Sequence, residues 1–377
     1  MAVKVTDSPV AVLKKQGFTF RINELNDQLE VNGRPISDVV EAILRHELRK
    51  YGFKVNPALD EIITYADRNR YHPIRDYLNG LKYDGGSHIE TLASYFTNPD
   101  GCFYEWLRKW LIGAVRRVLH PGAQNRVLVL EGPQNKGKSK FVEWLCPDPL
   151  KSHFRTGPVD PANKDHKIAL FETWIWEIAE LGSTTRKADR EALKQHLTIE
   201  HVAERLPYGK YPVHKPALTS FIGTLNDEGG VLSDPTGNRR FMFCKITDID
   251  WQGYTQAVNV DDIWAEAVML YLAGESADLS PEQSELAANQ NAKYEVEDPL
   301  ENLVRTHFVI TPGGNDFMRS SDMISILLDP SKGNFKGTTD LVSKRLSALM
   351  VKLGIERGRD SDKMRGYYGI KQKIVIS

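Results

Sequence analysis

Residues 126–139 read Arg-Val-Leu-Val-Leu-Glu-Gly-Pro-Gln-Asn-Lys-Gly-Lys-Ser, an apolar run followed by G-x-x-x-x-G-K-S. The chemistry this spacing suits is phosphate binding. Gly132 and Gly137 permit a turn whose backbone amides face inward across Pro133, Gln134, Asn135 and Lys136. Lys138 then supplies a point charge for the β- and γ-phosphates of ATP, and the Ser139 hydroxyl supplies one ligand for Mg2+. Hydrolysis asks for more: a metal, an oriented water and stabilisation of the charge that develops on the γ-phosphate. Thr173-Trp-Ile-Trp-Glu-Ile-Ala-Glu-Leu is an apolar strand ending in two carboxylates three residues apart. Glu177 is assigned to the metal side and Glu180 to the attacking water, although the two roles can be exchanged. The plainer reading of both is a pair of solvated acids at a strand end.

Two further strand ends extend the set. Leu218-Thr-Ser-Phe-Ile-Gly-Thr-Leu-Asn closes on Asn226, a neutral amide that can hold a water without adding charge, as the first sensor of ring ATPases does. Alone it would be a turn former. In Asp234-Pro-Thr-Gly-Asn-Arg-Arg-Phe, Arg239 and Arg240 stand after a turn and before a strand, placed to project from a domain edge. One of them is read as a finger reaching the γ-phosphate of a neighbouring subunit and the other as structural, against an ion pair with Asp227, Glu228 or Asp234. Tyr208-Gly-Lys210 reads as a β-hairpin tip. An aromatic and a cation there suit a phosphate-backbone contact in a central pore, and equally a solvated surface hairpin.

These groups need a scaffold, and its elements are legible. Residues 127–130 have the make-up of a buried parallel strand and 140–145 of a helix. Strand candidates at 173–178, 218–224 and 240–246, with a helix at 187–197 between the first two, imply a parallel α/β sheet. Residues 147–165 read as polar and irregular. An amphipathic helix over 104–119 ends at His120-Pro-Gly, and another over 263–272 closes the domain. The chain divides into an N-terminal mainly helical domain (1–103, with a short strand pair in front), an α/β nucleotide-binding domain (104–275), a helix and linker (276–299) and a basic domain (300–377). The last, with helices near 300–308, 321–328 and 339–353 and a two-stranded ribbon from 355–359 and 367–376, has a winged-helix pattern.

With 377 residues, 41% of them hydrophobic, the chain can bury a core of two or three domains. No stretch approaches a membrane helix and the start lacks a secretory signal, so a cytoplasmic location is expected. Three dispersed cysteines suggest neither a disulfide framework nor a zinc cluster. Net charge is −1, yet residues 331–377 hold eleven basic side chains against four acidic ones. Lys344 and Arg345, on the helix at 339–353, are the residues expected to grip DNA.

Taken together, Tyr71-His-Pro-Ile-Arg-Asp-Tyr-Leu, Leu128-Val-Leu-Glu-Gly-Pro-Gln-Asn-Lys-Gly-Lys-Ser, Trp174-Ile-Trp-Glu-Ile-Ala-Glu-Leu, Pro207-Tyr-Gly-Lys, Phe221-Ile-Gly-Thr-Leu-Asn and Asp234-Pro-Thr-Gly-Asn-Arg-Arg-Phe resemble the virulence-associated protein E family of phage and genomic-island proteins. The resemblance covers roughly residues 50–246. It implies an AAA+-type P-loop ATPase similar to superfamily 3 helicases: a ring, a hexamer by family likeness, replicating DNA and travelling 3′ to 5′ on single-stranded or forked substrates. It carries Lys138 and Ser139 onto the phosphate loop, Glu177 and Glu180 onto the acidic strand end, Asn226 onto the sensor, Arg239 and Arg240 onto the finger region and Lys210 onto the pore hairpin. Relatives often carry a primase domain in front. Residues 1–100 offer neither zinc-finger spacing nor a catalytic acid set, so priming is expected from a separate primase or polymerase. A different class stays open, an ATP-dependent origin-binding or remodelling switch without processive unwinding. A small-molecule kinase is a third, and would gain nothing from a finger arginine or a basic appended domain.

Overall fold

The computed structural model describes residues 7–179, 181, 193–207, 209, 211–226, 239–294, 299–332 and 335–373. The chain separates into two units, Met1–Tyr294 and Glu295–Ser377.

In the first unit, helix α1 (Pro9–Lys15), strands β1 (Phe20–Asn23), β2 (Gln28–Val31) and β3 (Arg34–Pro35), and helices α2 (Asp38–Lys50) and α3 (Val55–Asp67) enclose a small core of their own. The three strands form an antiparallel meander whose tight second turn uses Asn32 and Gly33 at positive φ. Its core, with Leu13, Phe20, Leu44 and Ile62, ends by residue 66. Helices α4 (Pro73–Gly80) and α5 (His88–Ala93), which the sequence placed in the same N-terminal domain, instead pack on α6 (Phe103–Leu119) and join the central core. Their buried faces, Ile74 with Leu78 and Ile89 with Leu92, recur at helical spacing and need an apolar partner that α6 supplies.

The centre is a parallel sheet of five strands: β5 (Val127–Glu131), β6 (Phe154–Thr156), β7 (Ile175–Ile178), β10 (Ser220–Leu225) and β11 (Phe241–Lys245). Their order is β11-β5-β10-β7-β6, with every pairing parallel. All residues of β5, β7 and β10 are buried, as strands covered on both faces must be. One face carries Leu128, Leu130, Ile175, Ile222 and Met242 toward α6, α7 (Lys138–Leu145) and the helix Val260–Leu272. The other carries Val129, Trp176, Phe221 and Phe243 toward α8 (Lys164–Glu172) and the short helical run at 193–197. Two of the buried indoles bond across the core: Trp110 Nε1 donates to the Phe221 carbonyl at 2.8 Å and Trp264 Nε1 to the Leu145 carbonyl at 2.8 Å.

Two differences from the sequence reading matter for the site. The segment read as irregular, 147–165, contains edge strand β6, too short and polar to announce itself, and the start of α8. The segment read as helix and linker, 276–299, includes the helix Pro281–Ala292, which is packed on β11: Gln290 accepts from Trp106 Nε1 at 3.0 Å and Asn291 donates to the Phe241 carbonyl at 3.0 Å. Its Ala, Gln and Asn content reflects a helix docked through buried amides as well as apolar side chains. Of the helix expected over 187–197, residues 187–192 lie outside the described residues. Strands β8 (His201–Arg205) and β9 (Pro212–Pro216) form the expected antiparallel hairpin. Lys215 fixes its base to the meander, bonding the Asp27 carboxylate at 2.8 Å and the Glu24 carbonyl at 2.7 Å. Tyr208 and Lys210, which the sequence reads as its tip, lie outside the described residues.

The second unit builds its core from the helices Pro299–His307, Ser320–Leu328 and Thr339–Lys352, with Leu300, Val304, Leu327, Leu346 and Met350 buried between them. Strands β15 (Arg357–Arg359) and β16 (Arg365–Tyr368) give the expected ribbon, and β14 (Phe317–Arg319) adds a third strand to it. The single strand expected over 367–376 is interrupted at Gly369, φ +76°, where a Cβ would lie 2.1 Å from the Thr311 carbonyl oxygen; β17 (Ile370–Gln372) then pairs with β13 (Phe308–Ile310). Lys344 is exposed and pairs with Asp340 at 3.3 Å, one helical turn away. Arg345 lies 5.1 Å over the Phe335 ring. No helix among the described residues is long and apolar enough to cross a membrane.

Candidate functional site

Parallel sheets place their loops, and hence their ligands, at the carboxyl ends of the strands. Here that edge opens into a cleft of about 540 Å3, walled by the 134–140 segment, Ala179, Thr224, Asn226 and Trp251. The loop leaving β5 turns on Gly132 (φ +153°), Asn135 (φ +64°) and Gly137 (φ +87°) before α7 begins. Gly132 sits where no side chain fits. A Cβ would lie 1.9 Å from the Ile246 carbonyl oxygen, while its own amide donates to the Leu225 carbonyl at 3.1 Å. Lys138, buried at the first turn of α7, donates from Nζ to the Gly132 and Pro133 carbonyls at 2.6 and 2.7 Å. An ammonium so held curls the loop around itself, and Ser139 follows it on the wall of the cleft. The orphan amides of a helix start favour an anion at this position. Lys136 reaches outward to Asp248 at 3.0 Å, holding that carboxyl below its usual range.

Glu177 is 2% exposed. It shares a face of β7 with Ile175, the face that α7 covers, and both its oxygens accept hydroxyl hydrogens: Oε2 from Thr156 at 2.9 Å and Oε1 from Thr224 at 2.9 Å. A carboxylate has about four lone-pair positions, so two donors fix its plane and leave acceptor capacity. Sequence reasoning missed both threonines. Thr224 carried a signal, two residues before Asn226 on the same strand and therefore on the same face. Thr156 carried none, because β6 itself was not anticipated. Glu180, the second acid, lies outside the described residues.

Because β10 runs between β5 and β7, Asn226 at its end stands between the phosphate-loop strand and the Glu177 strand, on the wall of the cleft. Arg239 and Arg240 are elsewhere. They precede β11, whose first residue Phe241 is in register with Val127, the first of β5. The arginines thus lie at the amino edge of the sheet and the phosphate-loop sequence at the carboxyl edge, separated by the length of β5, roughly 16 Å at 3.3 Å per residue. They line a second cleft of about 450 Å3 with Arg116, Arg126 and Asp278. There Arg126 Nε donates to the Arg239 carbonyl at 3.1 Å, and Asp278 bridges Arg116 at 2.9 Å and Arg126 at 3.6 Å. Burial, together with Arg116 and Arg239, outweighs Asp278 and lowers the Arg126 pKa.

Among the described residues no group of three or more His, Cys, Asp or Glu side chains is set to hold a metal. A divalent cation here would have to complete its shell with ligand oxygens and water, and the oxygen donors of Ser139 and Glu177 fit a hard cation of that kind.

Residues 78–296 match the model of the virulence-associated protein E-like domain. Among curated proteins, none matches the chain. The chain is similar to solved structures of the NrS-1 C-terminal region in its apo form. One, an A form, has a TM-score of 0.55 at 13% identity, covering 96% of this chain and 99% of that one. A second, spanning residues 305–718 of NrS-1, has a TM-score of 0.51 at 12% identity, covering 96% and 98%. At such identities the likeness is one of fold.

Proposed function

This chain belongs to the virulence-associated protein E-like family, and from that premise we propose that it is an ATP-driven DNA helicase of a phage or mobile element. It works as an AAA+-type P-loop ATPase ring, a hexamer, on single-stranded or forked DNA in the 3′ to 5′ direction, beside a separate primase or polymerase. The observation that carries the proposal is the convergence at one sheet edge of the G-x-x-x-x-G-K-S loop, the buried Glu177 and the Asn226 strand end.

In this reading the 132–137 amides and Lys138 hold the β- and γ-phosphates of ATP, Lys138 exchanging its two loop carbonyls for phosphate oxygens. Ser139 and Glu177 would hold Mg2+, which when bound offsets negative charge on the phosphates. Asn226 and an acid, Glu180 by sequence, orient the attacking water. Glu177 keeps its plane through Thr156 and Thr224, so its oxygens need no reorganisation when the phosphates arrive. The 16 Å separation of Arg239 and Arg240 from their own phosphate loop supports a finger acting on a neighbouring subunit, which requires an oligomer. The β8–β9 hairpin, through Tyr208 and Lys210 by sequence, contacts single-stranded DNA. The basic second unit, read as a winged helix, meets duplex DNA through Lys344 and Arg345.

Forked-duplex unwinding tests the proposal, run beside size-exclusion chromatography with a non-hydrolysable ATP analogue. Strand displacement that needs ATP and is lost in Lys138→Ala, from a species several times the monomer mass, is expected. Hydrolysis stimulated by single strands without displacement would leave the remodelling switch as the function. A monomer at every concentration would remove the ring.

A further inference from the structure

The chain has seven tryptophans. Five are buried, Trp144 is half-buried, and Trp251 alone is exposed, at 45%. That one ring stands on the wall of the phosphate-loop cleft. It is held there firmly. Trp251 opens the helix Trp251–Ala257, whose cap Asp250 accepts from Gly253 N at 2.9 Å and whose backbone amide at 250 donates to the Tyr95 carbonyl at 2.9 Å. The strand just before it, β12 (Asp248–Ile249), pairs with β4 (Phe96–Thr97) and meets the loop through Asp248 and Lys136 at 3.0 Å. The 248–251 segment is therefore a wall facing residues 136–140.

Lys140 Nζ lies 5.2 Å over the Trp251 ring. Lys140 is exposed two residues past Lys138 on the first turn of α7, so the ring stands beside the phosphate-loop residues within the same cleft. An indole face offered at that place matches a flat aromatic ring and not a phosphate.

We propose that Trp251 is the base platform of the nucleotide site, stacking the base of the bound nucleoside triphosphate while Lys140 turns from the indole toward the phosphate chain. Stacking recognises any base by its π-face, and a purine, with the larger face, is held more tightly than a pyrimidine. This inference rests on the ATP-binding reading above. It assigns the subsite that the phosphate-loop motif says nothing about.

The experiment uses the full chain and three nucleotides, ATP, GTP and CTP, with inorganic triphosphate as the base-free control. Base stacking carries about 1–3 kcal/mol per base, so Trp251→Ala is expected to weaken ATP about 5- to 150-fold, with kcat unchanged and KM raised. Affinity for inorganic triphosphate should stay as in the parent, and Trp251→Phe should recover most of the ATP affinity. ATP is also expected to quench the emission of the parent and not of Trp251→Phe. Equal loss for ATP and triphosphate would overturn the platform and make Trp251 a structural part of the wall. Unchanged ATP affinity with weakened single-stranded DNA binding would overturn it too, giving the ring to the nucleic acid. Lys138→Ala separates the two levels: if it leaves ATP binding intact, the ATP-site reading itself fails, whatever Trp251 does.

Discussion

Thr224 donates its hydroxyl to Glu177 Oε1 at 2.9 Å from the neighbouring parallel strand, two residues before Asn226. Thr156 holds the other oxygen. Glu177→Gln keeps the shape but loses the charge, and turns an acceptor into a donor that faces hydroxyls. ATP binding should persist while hydrolysis falls at least 100-fold, read as a KM near the parent value with kcat lost. Thr224→Val removes one clamp and leaves the charge. Its kcat should fall about 10-fold, a cost of about 1.4 kcal/mol in barrier. Equal activity in Thr224→Val and parent would show that the clamp has no part in the reaction.

Arg240 lies between two anchored carbonyls: Arg126 Nε holds that of Arg239 and Asn291 holds that of Phe241. A finger must present its guanidinium without paying for order at the moment of reaction, so the brace should matter as the finger does. Arg126→Ala should bind ATP as the parent does and lose about 10-fold in kcat, within the 10³–10⁵ a whole finger supplies. Mixing it with Lys138→Ala subunits should recover activity in trans. A kcat equal to the parent's would make Arg126 irrelevant to the arginine turn, whereas Arg239→Ala and Arg240→Ala both at full activity would end the finger reading.

Elements that follow from local spacing were the legible ones. The 127–139 stretch specifies strand, turn and helix by itself, and the apolar strands of the sheet stand out because both faces are buried. Illegible were features created only by distant packing. β6 is three residues long and finds its place by pairing with β7. The helix Pro281–Ala292 is legible as a helix, but its docking is not, since Gln290 and Asn291 meet Trp106 and Phe241 some 184 and 50 residues away in sequence. The same holds for α4, which is short and amphipathic, so that only its contact with α6 decides which core it joins. Arg75, bonded to Glu24 at 2.7 Å, and Tyr77, bonded to Asp261 at 2.6 Å, then explain the polar letters of the 71–78 motif as ties on both sides.

The two glycines of the phosphate-loop motif should respond differently to alanine. At Gly132 the added Cβ meets the Ile246 carbonyl oxygen, which cannot retreat because the Ile246 amide is bonded to Glu131 at 2.7 Å. Gly132→Ala should cost about 2–4 kcal/mol, combining strain and overpacking, and lower Tm by several degrees. At Gly137 there is open space within 4 Å, and only the positive φ resists. Gly137→Ala should cost about 1–2 kcal/mol. Thermal unfolding that ranks Gly137→Ala as the more damaging would contradict the close approach at Gly132.

His72 caps α4 by accepting the Arg75 amide on Nδ1 at 3.1 Å, which only a neutral ring can do. Burial, and secondarily Arg75, push its pKa down to about 4. The unfolded chain binds a proton near pH 6.5 and the folded chain does not, so the stabilisation is complete above that value. It is lost as pH falls from 6.5 toward 4, by up to ~1.4 kcal/mol per pH unit. His196, 2% exposed and also pushed to about 4 by burial, adds a slope of the same sign. Between pH 6.5 and 5 most carboxylates are still ionised, so the histidines dominate the trend there. His72→Asn keeps a side-chain acceptor at the cap and removes the titration. Tm measured across that window should fall less steeply in His72→Asn than in the parent, with the curves converging near pH 7. Parallel curves would mean that His72 takes up its proton in the folded chain as readily as in the unfolded one, and that the cap does not hold it neutral.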